Sequence, residues 1–171
     1  MDSKYHYEDI DLNRIIAKSL YFGLLVNIVI PVSLLFVCFF IANSHAITNE
    51  LGGATDTVLI VFGILSLLEA AFALWWRGRL FDEPMVRSKA TLEEDIIAGV
   101  SRRSRPIFLV IASISIYGYL FFFLTGHFET AMFFVLFSFI VFQIVRPRYG
   151  MARKIVARQM ELADKGQFLR D

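Results

Sequence analysis

The sequence predicts an all-α membrane protein: four transmembrane helices in two hairpins, with cytoplasmic helices in the middle loop and the C-terminal tail. Three observations predict it. Hydrophobic residues fill 57% of 171 positions and the mean hydropathy is +0.60, more apolar surface than a water-soluble domain of this size buries. Four runs nearly free of charge approach the length needed to cross roughly 30 Å of hydrocarbon at about 1.5 Å per residue. The basic residues all flank one side of those runs.

The runs are Leu20 to Ala42, Thr57 to Trp76, Pro106 to Leu124 and Phe128 to Val145. None shows the strict apolar and polar alternation of a lipid-facing barrel strand, and a helix satisfies its own backbone without an edge. Of the 17 Lys and Arg, Lys4, Arg14 and Lys18 precede the first span, seven lie between Arg77 and Arg105, and seven lie between Arg146 and Arg170. Segment 43–56 and the turn Thr125 to His127 hold none. Basic residues near span ends stay on the cytoplasmic side, so both termini and the middle loop are expected there, and the absence of an N-x-S/T sequon from the outward loops fits a bacterial inner membrane. The opening "MDSKYHYEDID" lacks the pattern of a secretory signal, and Cys38, the single cysteine, has no partner for an intramolecular disulfide.

The expected organisation is a four-span bundle over 1–145, including a cytoplasmic loop 77–105, followed by a cytoplasmic C-terminal helix within 146–171. In the loop, "TLEEDIIAGVSRRSRP" supplies Thr91 as N-cap, Glu94 as its capping-box partner, and acids ahead of arginines along the helix dipole. Leu92, Ile96, Ile97 and Val100 then share one side, which suits a helix lying on lipid or covering the cytoplasmic mouth of the bundle. Pro106 is expected to break the chain before the third span. The tail "MARKIVARQMELADK" is helical by propensity, with Met151, Ile155, Val156 and Met160 as its apolar side. Arg-x-Arg closes both hairpins, in "WWRGRLF" and "IVRPRYG", a similarity that convergent interface chemistry explains at least as well as duplication does.

Glu69 is the residue that asks for an explanation. It precedes Arg77 by eight residues, hence stands roughly 12 Å above the interface, a depth from which so short a side chain does not snorkel. An ionised carboxylate there costs at least a few kcal/mol, so it must face protein or enclosed water. Gly63, Ser66, Ala70 and Ala73 form a small-residue strip beside it, suited to close helix packing. Asn27, whose carbonyl Pro31 leaves without its usual amide donor, lies at a similar depth, as do Ser113, Ser115 and Ser138. Two readings follow: a neutral Glu69 clasped to Asn27 as a structural polar layer, or a proton or cation site.

Small multidrug exporters also combine four spans with an intramembrane glutamate, but theirs is in the first span. Rotary-ATPase proteolipids pair a carboxylate with a glycine-rich helix that is missing here. Neither pattern is matched.

Other chemistry is not indicated. His45, Glu50, Asp56, His127 and Glu129 include metal-ligand types but fit no metal motif, so no metal and no cofactor are expected. No P-loop, zincin, C-x-x-C or nucleophile-elbow pattern occurs, so no catalytic residues are expected. Trp75 and Trp76 mark the interface, and Arg77, Arg79, Arg146 and Arg148 are the basic residues there, suited to anionic lipid rather than nucleic acid. The expected role is a non-enzymatic accessory, assembly or scaffold subunit that binds membrane lipids and other membrane proteins or forms a homo-oligomer. The alternative is a small oligomeric carrier or channel using Glu69.

Overall fold

The computed structural model describes residues 10–44 and 51–169. Lys4, His45, Glu50 and Arg170 lie outside the described residues. Those described are helical, with no strand among them, and four helical runs are long and apolar enough to cross a membrane: Leu12–Ser44, Gly52–Arg79, Lys89–Thr125 and Phe128–Val145. The chain is an integral membrane protein by that criterion.

The first run begins well before the apolar stretch. Asp11 caps α1 (Leu12–Leu24), its carboxylate accepting from the amides of Asn13 at 3.0 Å and Arg14 at 3.2 Å. The run widens into a π-turn at Leu25–Val29 and continues as α2 (Ile30–Ser44). That turn immediately precedes Pro31, whose missing N–H calls for such a local adjustment in a span.

After a 3-10 turn at Gly52–Ala54, α3 (Thr55–Leu80) carries Asp56 in its first turn and Arg77 and Arg79 in its last, the favourable sense along the dipole. A second 3-10 turn, Lys89–Thr91, leads into α4 (Leu92–Thr125). Gly126, at φ +75°, ends α4 in a left-handed cap and hands the chain to α5 (Phe128–Val145), whose ends coincide with the expected fourth span. Helix α6 (Tyr149–Asp164) is the last helix among the described residues.

Helix α4 is the axis of the molecule. Half of its apolar window is buried, against 17% for the first and second spans and 39% for the fourth. Helices α1, α3 and α5 all pack on it. Gly118 permits a close approach of α5, because a β-carbon there would meet the Phe134 β-carbon at 2.8 Å and the Ala131 carbonyl oxygen at 3.0 Å. Phe108 and Phe142 meet edge to face at 5.5 Å and fill the interior between α4, α5 and Gly23 of α1.

Two expectations about the loop are corrected. Helix α4 does not break at Pro106 but runs through it as 34 residues, about 51 Å and far more than the hydrocarbon needs. Proline removes only one hydrogen bond, to the carbonyl of Arg102, and both residues stand on the exposed side of the helix. Nor does the capping box form. Thr91 makes no side-chain cap; its hydroxyl donates instead to Asp95 at 2.7 Å, and the same Asp95 oxygen accepts the Arg87 amide at 2.9 Å. Asp95 thereby holds the turn entering α4.

The apolar side of the loop helix faces the chain itself. Ile96 and Val100 are fully buried in a cluster with Ile15 of α1, Met85 and Val86 of the 81–91 linker, and Val156 of α6. This is a second core beyond the span ends, built by the first turns of α1, the early part of α4, and α6. Its polar centre is Gln159, fully buried: the side-chain oxygen accepts the Met85 amide at 2.8 Å, and the side-chain amide donates to the carbonyls of Phe81 at 3.2 Å and Glu83 at 3.0 Å.

Candidate functional site in the membrane layer

Glu69 lies half-buried on the seam between α3 and α4. Tyr117 donates its hydroxyl to one carboxylate oxygen at 2.6 Å, and Ser113 lies 2.8 Å from the other. Both partners stand on α4 four residues apart, hence on one face. Phe62, nearly two turns before Glu69, stacks on the Tyr117 ring at 5.2 Å and closes one flank of the site.

Ser113 has a second acceptor, the Val110 carbonyl at 2.5 Å, and only one proton to give. With Glu69 ionised, Ser113 donates to the carboxylate. With Glu69 protonated, the acid donates to Ser113, whose own hydroxyl donates a hydrogen bond to the Val110 carbonyl. The carboxyl group is hydrogen-bonded in either state, which removes much of the cost of burying it.

The expected Glu69–Asn27 clasp is corrected by this arrangement. Asn27 is buried, but its amide donates to the Gly23 carbonyl of its own helix at 3.1 Å, and its side-chain oxygen has no partner. The reason is α4, on which α1 and α3 each pack. Ser113 and Ser115 are two residues apart on that helix, about 200° around it, so they serve opposite sides. Ser115 is buried and its hydroxyl, like that of Ser19, has no partner. Ser138 donates to the Ile111 carbonyl at 2.9 Å, tying α5 to α4. Tyr119 donates to the Pro31 carbonyl at 2.6 Å, tying α4 to α2. The polar residues are therefore distributed over separate helix seams.

Ser66, Ala70 and Ala73 of the small-residue strip are buried, whereas a β-carbon on Gly63 would meet nothing within 4 Å. The strip is thus uncovered at the end remote from the arginines. At the other end Arg77 donates to the Ile144 carbonyl at 2.7 Å and to the Met151 sulfur at 2.9 Å, joining α3 to α5 and α6. Arg79 lies over the Trp75 ring at 4.8 Å, Arg148 donates to the Gln143 carbonyl at 3.0 Å, and Arg146 is half-buried. Among the described residues no group of three or more His, Cys, Asp or Glu is placed to hold a metal ion.

The chain matches no protein-family model, no curated protein and no solved structure. Its site is accordingly argued from geometry alone. Sequence reasoning missed Tyr117, although its spacing from Ser113 was a readable signal. It also missed Gln159, which shares a helix face with Ile155 and Ala152 and is read as core only once the linker it binds is in place.

Proposed function

We propose that this chain is a non-enzymatic accessory, assembly or scaffold subunit of a bacterial inner membrane, with both termini and the middle loop in the cytoplasm. The one-sided basic residues support that orientation. The observation that carries the assembly reading is the uncovered end of the strip at Gly63, about 9 Å along α3 and about 120° around it from the half-buried Glu69. A second span crossing α3 obliquely would use the close approach that Gly63 allows and reach the Glu69 side as well, completing the burial of a costly carboxyl group. The buried polar residues near that depth, Asn27, Ser115 and Ser138, stand on separate seams among Ile111, Ile114 and Phe134 and form no continuous polar path, which favours a packing role over a pathway through one copy.

The Ser113 alternation favours a second reading, an oligomeric ion-coupled carrier or channel in which Glu69 takes up and releases a proton or cation. The two readings separate by experiment. Gentle extraction from the native membrane should yield a complex well above the 19.6 kDa chain, and Glu69→Leu should weaken it. A lone chain that moves protons across liposomes, and loses this with Glu69→Gln, would replace the assembly reading by the carrier.

A further inference from the structure

Between the end of α3 and the face of α6 lies a cleft of about 560 Å³. Leu74, Arg77, Phe81 and Asp82 supply one wall, and Lys154, Ile155 and Arg158 contribute to the other. The α3 wall continues upward into the exposed residues Leu67, Leu74 and Trp75, the surface that faces the lipid chains. The cleft is therefore apolar toward the membrane and cationic away from it.

Its charges are only partly compensated. Arg77 is satisfied by a carbonyl and a thioether, a weak acceptor, and its charged neighbour is Arg148, of like sign. Arg158 pairs with Glu161 at 3.0 Å, but Glu161 is shared with Lys165. Asp82 is the single carboxylate in the lining, against Arg77, Lys154 and Arg158. Gly150, in the first turn of α6, also borders the cleft, and no acid stands in that turn. Net positive charge surrounds a space large enough for a phosphate ester, directly beneath a lipid-facing helix surface.

We infer that this cleft binds the headgroup of an anionic phospholipid, with the phosphate against Lys154, Arg158 and Arg77 and one acyl chain along α3 from Leu74 upward. Lys154 and Arg158, one turn apart and both exposed, recognise the phosphate. Arg77 sets the depth of the headgroup because its side chain is already anchored to α5 and α6. The lipid joins α3 to α6 at a place where they otherwise meet through Arg77 and Met151. The inference needs the membrane setting but not the assembly role, so either can fail without the other.

Delipidated full-length protein in neutral detergent, titrated with phosphatidylglycerol and separately with phosphatidylcholine, tests this by native mass spectrometry. One phosphatidylglycerol should be retained at least tenfold more tightly than phosphatidylcholine. Lys154→Ala/Arg158→Ala should weaken it by about 30-fold, the loss expected for two cations near an anionic surface. Arg102→Ala/Arg105→Ala, which removes the same charge from α4, should leave it unchanged. Should the first double variant fold poorly, Lys154→Gln alone should still give a loss of about fivefold. Equal retention of the two lipids, or equal losses in the two double variants, would overturn the site in favour of diffuse surface charge. Competition by glycerol 3-phosphate at the concentration at which phosphatidylglycerol binds would overturn the lipid and leave a soluble phosphate ester as the ligand.

Discussion

At Glu69 the structure changes what a substitution should do. Glu69→Gln keeps an acceptor for Tyr117, and its amide can donate to Ser113, which then donates to Val110, so thermal stability should match the parent. Glu69→Leu leaves Ser113 bonded to Val110 but strands the Tyr117 hydroxyl, at a cost of about 1 to 3 kcal/mol. Adding Tyr117→Phe to the Leu variant should therefore recover most of the loss. Thermal unfolding in detergent of the parent and these three variants checks this; no recovery in the double variant would mean that Tyr117 is not the partner that matters. Gln159 offers a sharper case outside the membrane. Gln159→Leu unmakes three hydrogen bonds to the 81–85 backbone at once. It should lower stability more than Glu69→Leu does and leave the linker open to protease.

Helix α4 shows how an element can override its local signals. Residues 92–105 are polar on one side and the rest of the helix is apolar, and a proline stands at the junction, yet one helix spans both because each part has a core to bury into. Pro106→Ala should restore the missing backbone bond and raise the unfolding temperature; a fall would show that the proline serves a bend. The glycines on the spans differ for a similar reason. Gly118→Ala should push α4 from α5, because the obstructing atoms are backbone and a β-carbon that cannot swing aside, whereas Gly63→Ala should be neutral or slightly stabilising in the chain separated from any partner span. Parallel melts of the two variants compare them directly. On α6, Lys165 and Arg158 together lower the Glu161 carboxyl below its usual range. Its contribution is complete above the ordinary carboxylate range and is lost as pH falls through the lowered value. Lys165→Ala should move the Glu161 titration, followed by NMR, upward toward the ordinary value.

For the molecule as a whole, the second core alters the meaning of the extramembrane helices. Ile96 lies on the face suited either to lipid or to the cytoplasmic mouth of the bundle; fully buried within the chain, it should hold α1, α4 and α6 together. Ile96→Asp should then cost several kcal/mol by burying an unpaired charge and release α6 to proteolysis while the spans stay helical. Protease sensitivity gained at residues 81–100 alone, with α6 still protected, would return Ile96 to the role of a surface anchor. Orientation is tested independently by cysteines placed at Ala54, Ser88 and His127 in a Cys38→Ala background. The first and third should react with an impermeant thiol reagent from outside intact cells, and the second should not.

What the sequence determined by itself was the class of solvent and the number of crossings. Burying apolar surface and satisfying the backbone in hydrocarbon are demands on each segment separately, so run length and charge placement reveal the spans, and Phe128 to Val145 even keeps its ends. Depth was legible in the same way, which is why Glu69 stood out. Partnership was not. Asn27 and Ser113 lie near the same depth, and rise along a helix says nothing about which neighbour each helix face meets. Only the packing of α1 and α3 on α4 decided that Glu69 meets Ser113 and Tyr117, and only the docking of α6 revealed Gln159 as a core residue. Those are properties of helices assembled around a common axis, where a contact depends on the rotation and position of two elements together.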